Sequence, residues 1–161
     1  MYLIKRLTFL AILLVAVPIA AAAAPIKERA GWRIIETDAS YSELVENLEA
    51  NIKANEMLIV TVASASEGTK GEGVTIPGNR VVGVYRNDFA LRMLSASTAA
   101  GIEAPIRFYV TEDENGTATL SYKLPSTVFA PYFDEGGDEL RKLAVELDEI
   151  FAKIADDTIK S

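Results

Sequence analysis

The sequence predicts an α+β fold, a single domain in which a mixed sheet is covered on one face by helices. Three observations predict it. Strand-like runs alternate with helix-period segments in the order β-α-β-β-α-β-β-α, a complete hairpin followed by a final helix stands at the C-terminal end, and no repeat or linker divides the chain after its leader. A length of 161 residues suffices for one hydrophobic core.

The first segment is an address rather than part of the fold. Lys5 and Arg6 form a basic start, Leu7 to Ala20 an apolar run and Ala21 to Ala24 a small-residue end, which together read as a secretory signal peptide over residues 1–23. Cleavage before Ala24 leaves the domain at 24–161. A retained anchor competes, because Leu7 to Ala24 is of borderline spanning length, but Pro18 and the alanines favour cleavage. The expected location is the periplasm, with no membrane association after cleavage. Loss of Lys5 and Arg6 takes the net charge from −7 to −9. So acidic a domain is a poor partner for nucleic acid or an anionic membrane surface.

Gly31 to Thr37 reads as a strand. Ser40 and Glu43 then form a capping box, and Tyr41, Leu44, Val45, Leu48 and Ile52 make one apolar stripe of a helix ending near Asn55. Met57 to Ser64 is a strand apolar enough to sit inside a sheet. Glu67 to Asn79 reads as an irregular, mobile loop; its Gly68, Gly71 and Gly73 are not in the order of a phosphate-binding turn. Arg80 to Arg86 is a strand. Asn87 is the expected N-cap, and Gly101 the C′ residue, of a helix with Phe89, Met93, Ala96 and Ala100 on one stripe. Pro125 to Gly137 reads as a bend, with Phe129, Tyr132 and Phe133 as cover for the core. The last helix, 138–157, carries the most regular amphipathic pattern, from Leu140 to Ala155.

The hairpin between Ala104 and Pro125 has its register written into it. A two-residue loop at Asn115-Gly116 would place Val110 opposite Ser121, mixing apolar and polar side chains on one face. A three-residue loop, Glu114-Asn115-Gly116 with Gly116 left-handed, pairs Val110 with Leu120, Phe108 with Tyr122 and Ile106 with Leu124. The other face then carries Arg107, Tyr109 and Thr111 against Lys123, Ser121 and Thr119. Asn115-Gly116-Thr117, a glycosylation sequon by pattern, is read as turn chemistry.

The order of pieces resembles the domain of unknown function 302 family. The resemblance rests on the strand Val81 to Arg86 and its helix, the start Ala104-Pro105-Ile106-Arg107 of the hairpin, and the exit Ser121-Tyr122-Lys123-Leu124-Pro125. It covers about residues 40–130. Many members carry a His in an alanine-rich segment after the second strand; Thr61 to Gly73 has none, so no such role transfers. The resemblance implies a small α+β fold, frequently a homodimer, without an established activity.

The sequence contains no Cys and no His. That removes thiolate chemistry, disulfides, Ser-His-Asp catalysis, and the usual zinc, copper and haem ligands. No catalytic residue, cofactor or metal is expected. The candidate ligand site is the open hairpin face: Arg107, Tyr109, Ser121 and Lys123, with Tyr85 from the neighbouring strand. Two cations, two aromatic rings and a hydroxyl suit a small anionic or aromatic ligand. A solvated sheet face or a dimer surface is the competing reading. Glu112, Asp113 and Glu114 read as a charged turn. Asp134, Glu135, Asp138 and Glu139 could meet calcium, yet fit no loop template, and helix-start charge already accounts for them. The expected function is a non-enzymatic binding or interaction module. The alternatives are an enzyme using Asp/Glu, Lys or Tyr as acid–base groups, and a structural envelope or stress protein.

Overall fold

The structure, a computed structural model, describes residues 25–161; the leader reading lies outside the described residues. The chain runs β1 (Trp32–Ser40), α1 (Tyr41–Ala54), β2 (Leu58–Ala63), α2 (Ala65–Lys70), β3 (Asn79–Tyr85), α3 (Asn87–Ala96) and a 3-10 turn (Ala99–Glu103). The hairpin β4 (Ile106–Glu112) and β5 (Thr117–Lys123) follows, then α4 (Pro125–Phe129), a second 3-10 turn (Ala130–Tyr132) and α5 (Phe133–Thr158). An α+β fold is what the sequence predicts and what the chain adopts.

The five strands lie in the order β1-β5-β4-β3-β2, and every neighbouring pair is antiparallel. The sheet is therefore not mixed. A helix crossover does carry the chain from β1 to β2 in the same direction, as such a connection requires. Three strands intervene, however, and the two parallel-running strands become opposite edges that never touch.

The hairpin register is the one the apolar pattern dictates. Phe108 faces Tyr122 and Val110 faces Leu120. Asp113 N–H donates to Thr117 C=O at 2.8 Å and Gly116 N–H to Asp113 C=O at 2.9 Å, enclosing the three-residue loop. Gly116 has φ 84°, a conformation that strains any residue with a Cβ. The expected Ile106–Leu124 pair is absent from the ladder. Leu124 leaves it as the chain turns into α4, donating its N–H to Gly31 C=O at 2.8 Å.

Alternation along β4 and β5 sends Phe108, Val110, Leu120 and Tyr122 to the helix side, where all are buried. Phe151 of α5 stacks on Phe108 with ring centroids 4.5 Å apart, and Tyr122 meets the same pair at 5.1 and 5.5 Å. Each fully buried large side chain contributes about 1.5–3 kcal/mol. α1 begins as expected: Ser40 Oγ accepts Glu43 N–H at 3.4 Å, and Leu44, Leu48 and Ile52 are fully buried.

Four other expectations change. β2 is not interior but an edge, with Leu58 52%, Val60 48% and Val62 44% exposed; apolar, β-branched composition marks a strand without saying how many neighbours it has. The segment read as a loop opens with α2, because Ser64 Oγ accepts Glu67 N–H at 3.1 Å as an N-cap, while the Glu67 carboxylate goes to Arg80. α3 stops at Ala96 rather than near Gly101. Ser97 is extended (φ −151°) and its Oγ accepts Ala100 N–H at 3.2 Å, starting the 3-10 turn instead. The bend 125–137 is mostly helical, and only Gly137, at φ 58°, breaks it before the long run of α5 starts near the expected Asp138. Among the described residues no helix is long and apolar enough to cross a membrane.

Candidate functional site

Among the described residues α1 and α5 cover the face of the sheet that carries Phe108 and Leu120, with α3 and α4 against α5, while Arg107 and Lys123 stand exposed on the opposite face. On that face the registers align Trp32 with Lys123, and Gly83 with Arg107. A groove of about 340 Å³ opens at the end of that face, lined by Trp32, Glu103, Arg107, Tyr109 and Lys123 together with the apolar Val81, Val128 and Ile106 and the edge of Tyr122. Lys123 Nζ lies 5.6 Å from the Trp32 ring centroid and Arg29 Cζ 5.0 Å from it, so the indole stands among cations. Arg107 and Lys123 are exposed, and neither makes an ion pair among the described residues.

Three of the five residues proposed from sequence are thus brought together: Arg107, Tyr109 and Lys123. Ser121 is not part of the groove. β5 is an interior strand, so Ser121 is held between Ile34 and Tyr109 and is fully buried, with no hydrogen-bond partner for its hydroxyl. Tyr85 is placed elsewhere as well. It stands opposite Leu58 at the end of β3 and borders a separate apolar cavity of about 30 Å³, walled by Met57, Phe89 and Phe129. Trp32 and Glu103 were missed. Trp32 was visible as the aromatic of the first strand, but nothing local in a sequence says that β1 pairs with β5.

Glu103 sits at the end of the first 3-10 turn. Its Oε1 accepts the Tyr132 hydroxyl at 2.9 Å, and that hydrogen bond to a carboxylate, ahead of burial, raises the Tyr132 pKa. Four of the seven acidic candidates, Glu112, Asp113, Glu135 and Glu139, are occupied in the fold. Glu112 accepts Gly78 N–H at 2.6 Å and Asp113 accepts Thr119 Oγ1 at 2.8 Å. Glu135 accepts Ser97 Oγ at 2.7 Å, while Glu139 pairs with Lys142 at 3.1 Å. Among the described residues no cluster of three or more carboxylates could hold a metal ion.

The groove can grip an anion between two side-chain cations and hold a ring against Trp32 or Tyr109. Comparison with known proteins bears on the scaffold. No curated protein matches the chain. A crystal structure of an uncharacterized conserved DUF302 protein from Bacillus stearothermophilus superposes with a TM-score of 0.69 at 19% identity, covering 80% of this chain and 98% of that one. At that identity the likeness is one of fold. The profile of the domain of unknown function DUF302 matches residues 34–158, from the first strand to the end of the last helix, and the chain belongs to that family.

Proposed function

We propose that this is a non-enzymatic binding or interaction module of the periplasm that takes a small aromatic anion in the groove of the open sheet face. One observation carries the reading: Arg107 and Lys123 stand exposed on one groove without a carboxylate partner among the described residues, beside the rings of Trp32 and Tyr109. Two adjacent like charges on a sheet repel, and an anion between them removes that cost. The periplasmic address rests on the leader sequence. A mature mass starting at Ala24 is the expected result, and recovery from membranes alone would overturn it.

An acid–base enzyme built on Asp/Glu, Lys or Tyr needs a group poised near neutrality. The three tyrosines with displaced pKa values, Tyr41, Tyr122 and Tyr132, all move upward, away from that range. Those three tyrosines are therefore poor acid–base groups near neutral pH.

Trp32 is the single tryptophan of the sequence, so the groove carries its own reporter. Titration with 3-phenylpropionate is expected to change Trp32 emission saturably. Replacing both Arg107 and Lys123 by Ala is expected to weaken binding at least tenfold, since each charge-assisted contact contributes about 1.5–3 kcal/mol. An unchanged affinity in the double variant removes the site.

A second reading is assembly of two copies. It is favoured by the uncharged edge strand β2, whose Leu58, Val60 and Val62 are about half exposed.

A further inference from the structure

Resting on the binding reading above, we infer that the ligand class of this groove is an aromatic zwitterion, a ring that carries both a carboxylate and an ammonium group. The reason is Glu103. Its carboxylate borders the same groove as Arg107 and Lys123, yet neither cation comes within ion-pair distance of it.

Glu103 is also held where it is. Its Oε1 accepts the Tyr132 hydroxyl at 2.9 Å, and the Tyr132 ring packs, partly buried, against the hydrophobic core. That contact keeps the side chain from swinging across to the cations and leaves Oε2 for a donor. An anion bound by Arg107 and Lys123 would bring its ring into a groove that already holds a fixed negative charge. A purely anionic ligand meets repulsion there, whereas an ammonium group turns the same carboxylate into a charge-assisted acceptor. The groove therefore presents two cationic anchors, one anionic anchor and aromatic rings, the complement of a zwitterion with a ring.

Trp32 emission separates this inference from the reading on which it rests. The exported protein is titrated with 3-phenylpropionate, L-phenylalanine and 4-(aminomethyl)phenylacetate. The first has a ring and a carboxylate; the other two add an ammonium, beside the carboxylate or across the ring. At least one zwitterion is expected to bind about fivefold tighter than 3-phenylpropionate, the scale of one charge-assisted contact at a solvated site. Glu103→Gln, which keeps an acceptor for Tyr132, is expected to erase that preference. Equal affinity for all three probes, or a preference that survives Glu103→Gln, overturns the inference and leaves anion binding standing. No response to any probe overturns both.

Discussion

Tyr122 shows how a single side chain can serve the core and still leave a cost. Its ring lies edge-on to Phe108 and is almost wholly buried, yet its hydroxyl makes no well-formed hydrogen bond among the described residues, with the Arg33 guanidinium near it as a poorly placed donor. Burial raises its pKa first, and the nearby Arg33 guanidinium offsets only part of that. A phenol whose folded pKa lies above its unfolded value binds its proton more tightly when folded. Its contribution is complete below the ordinary tyrosine value of about 10 and is lost as pH rises through the folded pKa. Thermal melts across that alkaline range should therefore show falling stability. Tyr122→Phe should flatten the slope and leave stability at pH 7 unchanged or slightly higher, since it removes an unsatisfied polar atom. A loss above about 1 kcal/mol at neutral pH would show that the hydroxyl has a partner after all. Tyr122 was legible as a core residue from the hairpin pattern alone. The orphaned hydroxyls of Tyr122 and Ser121 were not, because satisfaction depends on neighbours far away in sequence.

At the level of elements, α2 is fastened by polar contacts rather than by a hydrophobic stripe. Arg80 of β3 reaches Glu49 of α1 at 3.0 Å and Glu67 of α2 at 2.7 Å. Asn79 N–H donates to Ser66 Oγ at 3.1 Å, and Asn79 Oδ1 accepts Ala65 N–H at 2.9 Å. Arg80→Met removes both ion pairs and leaves the carboxylate of Glu49 half-buried without its cation. The partly exposed setting limits the expected cost to about 1–2 kcal/mol. Hydrogen exchange should quicken across 65–70 before it does elsewhere, and unchanged protection there would mean that α2 is held by other forces. Long, periodic elements such as α1 and α5 were readable because burial on one face imposes a period of 3.6 residues. α2 escaped because its six residues are too short for any period. Its one sequence signal was the Ser64-x-x-Glu67 pattern at its start, the same device that marked α1.

For the whole molecule, the decisive information is the strand order, and no local pattern encodes it. The sequence supported α+β, the hairpin register and three members of the groove. It led to a mixed sheet and an interior β2, because apolar composition alone does not distinguish an edge strand from a central one. That edge also bears the assembly reading. Pairing β2 with its copy across a two-fold axis would bring one uncharged strand, Leu58–Ala63, against another and would cover Leu58 and Val60. Native mass spectrometry is expected to show a dimer that Val60→Lys converts to monomer. A wild-type monomer at tens of micromolar protein, or a dimer indifferent to the lysine, removes β2 as the interface.

The pairing of β1 with β5 also dictates the order in which the chain can become a protein. Trp32 is partnered by Lys123 and Ile35 by Leu120, so the first strand has no place in the sheet until nearly all the later strands exist. Closing so long a loop is entropically slow, and contacts of this separation delay folding. The N-terminal half, left alone, holds β1 and β2 as two edges with no strand between them. On the export proposed above, a chain that cannot complete its sheet while it is still emerging would stay threadable through a narrow translocation channel.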